Sequence, residues 1–338
     1  MTDTITHAVV HAPDDVRLDP LDRPVAGPDD VVVRVAACGI CGSDLGYAKA
    51  GGLPIGEHRP LPLGHEFSGT IEQVGANVTG FATGQRVTVN PTTAANMIGS
   101  GGPGAFASHI LVRDAMVPDT LHALPDTIDF ETAALVEPFA VALHAVNRSK
   151  AGPDSCAVVF GAGPIGLGVV AMLKLRGVGH VIAVDRVEER LERARRLGAD
   201  LALNSDDDDV WSAIGKAHGA SELYGYPVVG SSHFFEVSGA APVVPDIVGN
   251  AGMGARLVVV AVHHAPVPID FASALGKEME IVTSLAYPDE FAEVLEILAA
   301  GRIDTDAFVS HTMPFDRFGE AFALAARPRE AAKVIVTF

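Results

Sequence analysis

The sequence predicts an α/β protein in which a doubly wound parallel sheet is inserted into a mainly-β domain. Three observations predict it. From about residue 157 onward, short apolar runs alternate with helical patterns, as parallel strands covered on both faces by helices should. Before that, apolar residues come in brief stretches punctuated by glycine and proline, the texture of β structure. The closing run Lys333-Val334-Ile335-Val336 returns to that second texture, so the tail is expected to rejoin the first domain. The boundaries expected are 1–150 with 285–338 for the β-rich domain and 151–284 for the inserted one.

Bulk properties narrow the function. At 338 residues the chain exceeds what one hydrophobic core usually serves. Hydrophobic residues at 48% and charged residues at 20% describe a packed protein. A formal net charge of -18 repels phosphate backbones and acidic lipid, which excludes nucleic-acid and anionic-membrane partners. The N-terminus, Met1 to Asp15, carries acids and no apolar leader, and no stretch reaches the ~18 apolar residues that span a bilayer. The 3 cysteines do not make a disulfide framework. A soluble cytoplasmic enzyme is the expectation.

Taken in order, the first stretch shows Ala8-Val9-Val10, turns at Pro13-Asp14, Pro20, Pro24 and Pro28, and then Val31-Val32-Val33-Arg34-Val35. Residues 69–75 and 84–89 read as strands bounded by glycine, and 90–104 as a loop without periodicity. Helical signal begins at 129–134 and, interrupted at Pro138, continues over 140–147 before Gly152-Pro153 closes it. Strands are then expected at 157–160, 181–184, 201–203, 234–237, 257–262 and 281–282. Helices are expected between them at 167–175, 187–197, 210–218 and 243–250, with a last one at 289–300. The long connection 219–233, with Tyr224, Tyr226 and Pro227, reads as an ordered excursion. The four acids 206–209 read as a solvated loop entering a helix N-terminus, where the dipole favours negative charge.

Two motifs carry chemistry. Gly161-Ala162-Gly163-Pro164-Ile165-Gly166 follows the 157–160 strand directly, opens a helix, and is succeeded by Asp185 at the end of the next strand. A lone glycine motif is weak, but this context is that of dinucleotide binding. Gly161 permits the tight turn, Gly163 lets the backbone approach a pyrophosphate, and Gly166 lets helix and strand pack closely. Pro164 and Ile165 begin the helix whose N-terminus supplies free N–H groups to the phosphates. Asp185 would accept hydrogen bonds from the adenosine ribose and repel a 2′-phosphate, which favours NAD over NADP; Arg186 beside it could receive such a phosphate. The plainer alternative is a structural glycine turn with Asp185 as a strand-end cap.

The second motif is Cys38-Gly39-Ile40-Cys41-Gly42-Ser43-Asp44, read with Gly64-His65-Glu66. Thiolate, imidazole and carboxylate are the donors a tetrahedral zinc takes when one position stays open. The Cys38-x-x-Cys41 spacing by itself leaves several readings open: half a zinc knuckle, a redox pair, two small buried residues, or a single-cysteine metal site.

These motifs, with Val136-Glu137-Pro138 and in this order over essentially the whole chain, resemble the zinc-dependent alcohol dehydrogenases of the medium-chain dehydrogenase/reductase superfamily. Glu137-Pro138-Phe139-Ala140-Val141-Ala142-Leu143-His144 is most similar to the sorbitol and butanediol dehydrogenase branch. The resemblance implies a GroES-like catalytic domain split around a Rossmann domain. It makes Cys41 and His65 catalytic zinc ligands and Cys38 a bystander. Glu66 and Glu137 match two carboxylates that alternate between binding zinc and holding its water from behind. Ser43 matches a hydroxyl that hydrogen-bonds the substrate oxygen and passes its proton outward, a turn residue being the plainer reading; Asp44 reads as structural. Relatives often hold a second, structural zinc on four cysteines, and 90–109 has none, so one zinc per chain is expected.

One departure stands out. Gly46 occupies the position of a histidine that commonly ends the proton relay. His58 and His109 could substitute by chemistry, but each reads as a surface histidine. The implied activity is hydride transfer between NAD and a secondary alcohol, vicinal diol or polyol, or the matching ketone. An amino-alcohol such as threonine, or a specialised ketone reductase, is a rival substrate reading. A zinc-less nucleotide-binding non-enzyme is a rival of another class, which would be expected to lose Cys41, His65, Glu66 and Glu137. A homodimer or homotetramer is expected, joined at the 257–262 and 281–282 end of the sheet, since an open apolar edge invites pairing.

Overall fold

The first element is a hairpin, β1 (Thr4–Ala12) antiparallel to β2 (Asp15–Asp22), turned at Pro13-Asp14. The computed structural model describes residues 4–53 and 60–338. Pro20 lies in β2, which is an edge strand, so its missing N–H need not break a ladder. β3 (Val31–Gly39), buried at Val31, Val32, Val33 and Val35, leads into α1 (Gly42–Ala50), and β4 (Leu61–Pro62) completes a sheet of order β2-β1-β4. β5 (Glu66–Val74), β6 (Arg86–Val89), β7 (His109–Val112) and β8 (Leu121–Ala123) follow, then α2 (Phe130–Ala134) and α3 (Val136–Ser149). Pro138 sits in the first turn of α3, where no intrahelical partner is lost. The helical interruption therefore falls at Leu135, not at Pro138.

Strand and helix now alternate: β9 (Cys156–Phe160), α4 (Pro164–Leu175), β10 (His180–Asp185), α5 (Glu188–Arg196), β11 (Leu201–Asn204) and α6 (Val210–His218). The 219–233 excursion is a small hairpin, β12 (Ala220–Leu223) and β13 (Tyr226–Val229). β14 (His233–Glu236), α7 (Val243–Asn250), β15 (Arg256–Val259), α8 (Phe271–Gly276) and β16 (Glu280–Thr283) complete the run. β15 ends at Val259, short of the expected 262, because its parallel partner β16 stops pairing there, at Thr283. Six of these strands form a parallel sheet of order β11-β10-β9-β14-β15-β16, whose order reverses between β9 and β14. Val158, Ile182, Phe234 and Leu257 are buried in its core.

After α9 (Phe291–Ala299) and α10 (Thr305–Phe308), the tail supplies β17 (Val309–Pro314), α11 (Phe318–Ala325) and β18 (Lys333–Thr337). β18 pairs antiparallel with β3 in a 7-stranded sheet of order β17-β18-β3-β5-β6-β8, with β7 also on β3. The chain divides into two compact units, Met1–Glu137 with Phe291–Arg302 and Val309–Phe338, and Pro138–Glu290 with Ile303–Phe308. Among the described residues no helix is long and apolar enough to cross a membrane.

Candidate functional site

Neighbouring strands of the first unit bring the metal-ligand candidates together. Across β3 and β5, Gly39 stands opposite Glu66 and Cys38 opposite Phe67. A side chain at Gly39 would collide with the Glu66 carboxylate, so glycine there makes room for the acid. Cys41 caps α1; Asp44, on that helix's first turn, accepts the Cys41 N–H at 2.9 Å through Oδ2 and the Gly64 N–H at 3.1 Å through Oδ1. This buried acid thus ties the cysteine segment to the His65 segment, and its Oδ1 lies 3.7 Å from His65 Nδ1. Asp44 is structural, as expected, but what it supports is the site.

Donor atoms of Cys41, His65 and Glu66 all lie within 4.8 Å of one another. One thiol, one imidazole and one carboxylate at that spacing fit a zinc with an open position. Glu137, buried at the start of α3, is outside this trio, yet its charge is felt by both His65 and Lys333. Burial alone would push the His65 imidazole down. Asp44, the Cys41 sulfur and Glu137 overrule it and hold His65 well above the usual histidine value, so a metal that binds here must displace a proton. Cys38 is fully buried, and burial drives its thiol well up, which suits an inert residue rather than a ligand.

Nothing in the sequence pattern singles out Lys333. It is 1% exposed, donates to both oxygens of Glu66 at 2.7 and 2.6 Å and to the Ile40 carbonyl at 3.0 Å, and reaches them because β18 lies beside β3. The Ser43 hydroxyl, half-buried in the first turn of α1, has no hydrogen-bond partner among the described residues. Gly46 faces open space within the same helix. His109 is not the surface histidine expected: it is 7% exposed, with Nε2 at 2.9 Å from both Glu72 and Arg23 and Nδ1 at 3.0 Å from the Ser108 hydroxyl. A half-buried Glu72–Arg23 pair provides the reason for drawing it inward. His58 lies outside the described residues.

The 90–104 loop is organised by amides. Asn96 donates to the Arg113 carbonyl and to Thr93 Oγ1 and accepts the Arg113 N–H, while Asn90 bridges Asp119 and Thr92.

In the second unit Gly161 takes φ 103°, and a Cβ there would meet Ser238 at 2.9 Å. A Cβ at Gly166 would overlap the Gly161 carbonyl, which explains both glycines. Gly163 caps α4 with Pro164 at its first position and Ile165 next. A Cβ on Gly163 would meet only Arg190 Nη1, at 3.8 Å, so the absent side chain leaves a cradle in front of the helix N-terminus. Asp185, ending β10, turns its carboxylate to the same loop, accepting the Ala162 N–H at 2.7 Å and those of Arg186 and Val187. Arg186 is turned away, bonded through Nε to Asp206 at 2.7 Å. Arg190 has no motif to announce it: its Nε is buried without a hydrogen-bond partner among the described residues, and burial pushes its guanidinium down. Its position after Asp185, on the first turns of α5, is the only sequence signal.

The model of the alcohol dehydrogenase GroES-like domain matches residues 27–126, and that of the zinc-binding dehydrogenase matches residues 164–300. An (R,R)-butanediol dehydrogenase of Bacillus subtilis (strain 168) is 31% identical, covering 96% of this chain and 97% of its own. A solved 2R,3R-butanediol dehydrogenase from Bacillus subtilis is 30% identical, covers 99% of both chains, and superposes with a TM-score of 0.87. A sorbitol dehydrogenase of Bacillus subtilis (strain 168) is 29% identical over 97% of this chain and 96% of its own. A putative zinc-binding dehydrogenase from Sinorhizobium meliloti 1021, solved bound to NADP, is 26% identical, covers 99% of this chain and 100% of its own, and has a TM-score of 0.85.

Proposed function

This chain belongs to the zinc-dependent alcohol dehydrogenases of the medium-chain dehydrogenase/reductase superfamily, and from that premise we propose that it oxidises a vicinal diol or polyol at a secondary alcohol, or reduces the matching ketone, with NAD. The observation that carries the proposal is the Cys41–His65–Glu66 cluster with its donor atoms within 4.8 Å.

Cys41 and His65 hold the metal. A carboxylate completes the set: Glu66 lies in the cluster and is held from behind by Lys333 through two short bonds, while Glu137 acts on the site through its charge. When bound, zinc supplies a Lewis acid for the substrate oxygen and nicotinamide supplies the hydride acceptor or donor. Ser43 Oγ, in the first turn of α1, would relay the alcohol's proton, accepting it while giving its own hydroxyl proton onward to water. One zinc per chain is expected, since the amides of Asn90 and Asn96 fasten the 90–104 loop where relatives use cysteine. NAD over NADP is supported by Asp185 beside the glycine turn and by Asp206, which engages Arg186. Gly161, Gly163, Pro164, Ile165 and Gly166 form the phosphate cradle, and Arg190, with an unpaired buried Nε, is positioned to contribute to it. The division into 1–150 with 285–338 and 151–284 assigns metal and nucleotide to separate domains. A homo-oligomer is also proposed, through the β16 edge.

The test is a panel of secondary alcohols, vicinal diols, polyols and threonine, assayed with NAD and NADP on metal-analysed protein. Diol or polyol turnover with NAD and one zinc per chain is expected. Cys41→Ser should lose both zinc and turnover, whereas Cys38→Ser should keep most of each. Full activity after exhaustive chelation, or equal loss in both variants, would refute it.

A further inference from the structure

The last residue of β14, Glu236, is 0% exposed, and none of the chemistry above uses it. Burying a carboxylate is expensive unless it is fully bonded. Its Oε1 accepts the Ser238 N–H at 2.8 Å, the Ser238 hydroxyl at 2.6 Å and the Gly239 N–H at 2.8 Å. Its Oε2 accepts from His263 Nε2 at 2.9 Å, and its carbonyl accepts the N–H groups of Val260 and Ala261. One acid therefore fastens two loops, the turn after β14 and the segment after β15. These loops touch: Gly239 takes φ 69°, and a Cβ there would stand 3.5 Å from the Val262 carbonyl.

Their place in the sheet gives the strut a purpose. Ser238 packs directly against Gly161 of the phosphate cradle, at the point where strand order reverses. Asp185 lies on β10, on one side of β9, so the adenosine half of a dinucleotide extends that way. The other half must cross to the side of β14 and β15, over the two loops that Glu236 and His263 hold.

We propose that Glu236 and His263 are positioning residues that fix the rim receiving the nicotinamide riboside half of the dinucleotide. The inference rests on the dinucleotide reading and adds to it which buried pair shapes the nicotinamide end. Without His263 Nε2 the 260–263 segment loses its side-chain tie to β14, and the rim loosens while the cradle around Gly161 and Asp185 keeps all its bonds.

The experiment compares binary binding of NADH with that of ADP-ribose, which has the adenosine and pyrophosphate but no nicotinamide, by calorimetric titration of the full-length protein. His263→Ala should weaken NADH about tenfold, the loss of one charge-assisted bond, and leave ADP-ribose within about twofold. His263→Gln, which keeps a donor directed at Glu236, should recover most of the NADH affinity. Intact ADP-ribose binding also certifies that the variant is folded; if His263→Ala is not, His263→Asn, too short to reach the acid, serves in its place. Equal weakening of both ligands, or no weakening of either, would overturn the proposal. Failure of the unmodified protein to bind ADP-ribose would strike the dinucleotide reading itself.

Discussion

At the scale of single residues, Lys333 holds the acid that stands beside Cys41 and His65. Its ammonium contacts both oxygens of Glu66, and burial, which would lower its pKa, is outweighed by the Glu66 and Cys41 charges that raise it. Removing one member of a buried pair leaves the other charge without compensation, so Lys333→Met should cost about 3–5 kcal/mol in urea unfolding. Lys333→Met combined with Glu66→Gln should recover at least half of that, because the stranded charge has gone too. A single variant as stable as the parent would show that Glu66 is not a buried anion. Cys41, His65 and Glu66 can be picked from the sequence because their side chains are metal donors whatever their partners, whereas Glu137 enters only through the family resemblance of its segment. Lys333 cannot: it stands 267 positions from Glu66, and only the pairing of β18 with β3 makes them neighbours. His109 is misjudged for the same reason, since its burial depends on Arg23 and Glu72 from two other segments.

At the scale of elements, legibility follows periodicity. α4 to α7 and the strands of the parallel sheet between them are readable because each buries an apolar run or stripe. α1 is not. Its sequence, GSDLGYAKA, has two glycines and no apolar stripe, and it is held by the Asp44–Cys41 bond at one end and a left-handed Gly51 at the other. The β12–β13 hairpin turns on Tyr224 and Gly225, both at positive φ, a pair outside the usual Asn-Gly signal. Beside that hairpin the end of α6 meets the start of β10: His218 Nε2 lies 2.8 Å from His180 Nδ1, and His218 Nδ1 lies 2.8 Å from the Ser231 hydroxyl. Burial and then the His180 ring lower the His218 pKa from 6.5 to about 4. As pH falls from 6.5 towards 4 the unfolded chain takes up a proton that the folded chain refuses, so the full stability above that window is progressively lost within it. For a half-exposed group the loss should be about 1–2 kcal/mol. His218→Gln should therefore unfold with a smaller drop in urea midpoint between about pH 7 and about pH 4.5 than the parent does. An equal drop would show that the His218 ring does not resist protonation.

At the scale of the whole molecule, the alternation of strand and helix announces the parallel sheet, and its order then exposes a liability at one end. Among the described residues β16 pairs only with β15 and forms the outer strand of the six. Nearby in sequence, Phe271, Leu275 and Leu285 are 71%, 80% and 83% exposed. An open edge presents a row of N–H and C=O groups to any other strand, and soluble proteins usually charge it, shorten it or cover it. Here Glu280 begins the strand but Ile281 and Val282 follow it, so the protection by charge is slight. A two-fold axis through the edge would let β16 pair with β16 of a second copy, closing both edges with one self-complementary contact and covering apolar surface from α8 and the 285 segment. Light scattering at micromolar concentration should then give at least twice the 35.1 kDa chain mass. Val282→Lys, which charges the edge and leaves its neighbours intact, should shift the mass towards the monomer. A parent that scatters as a 35.1 kDa monomer, or a Val282→Lys protein that stays fully associated, would remove β16 as the joining strand.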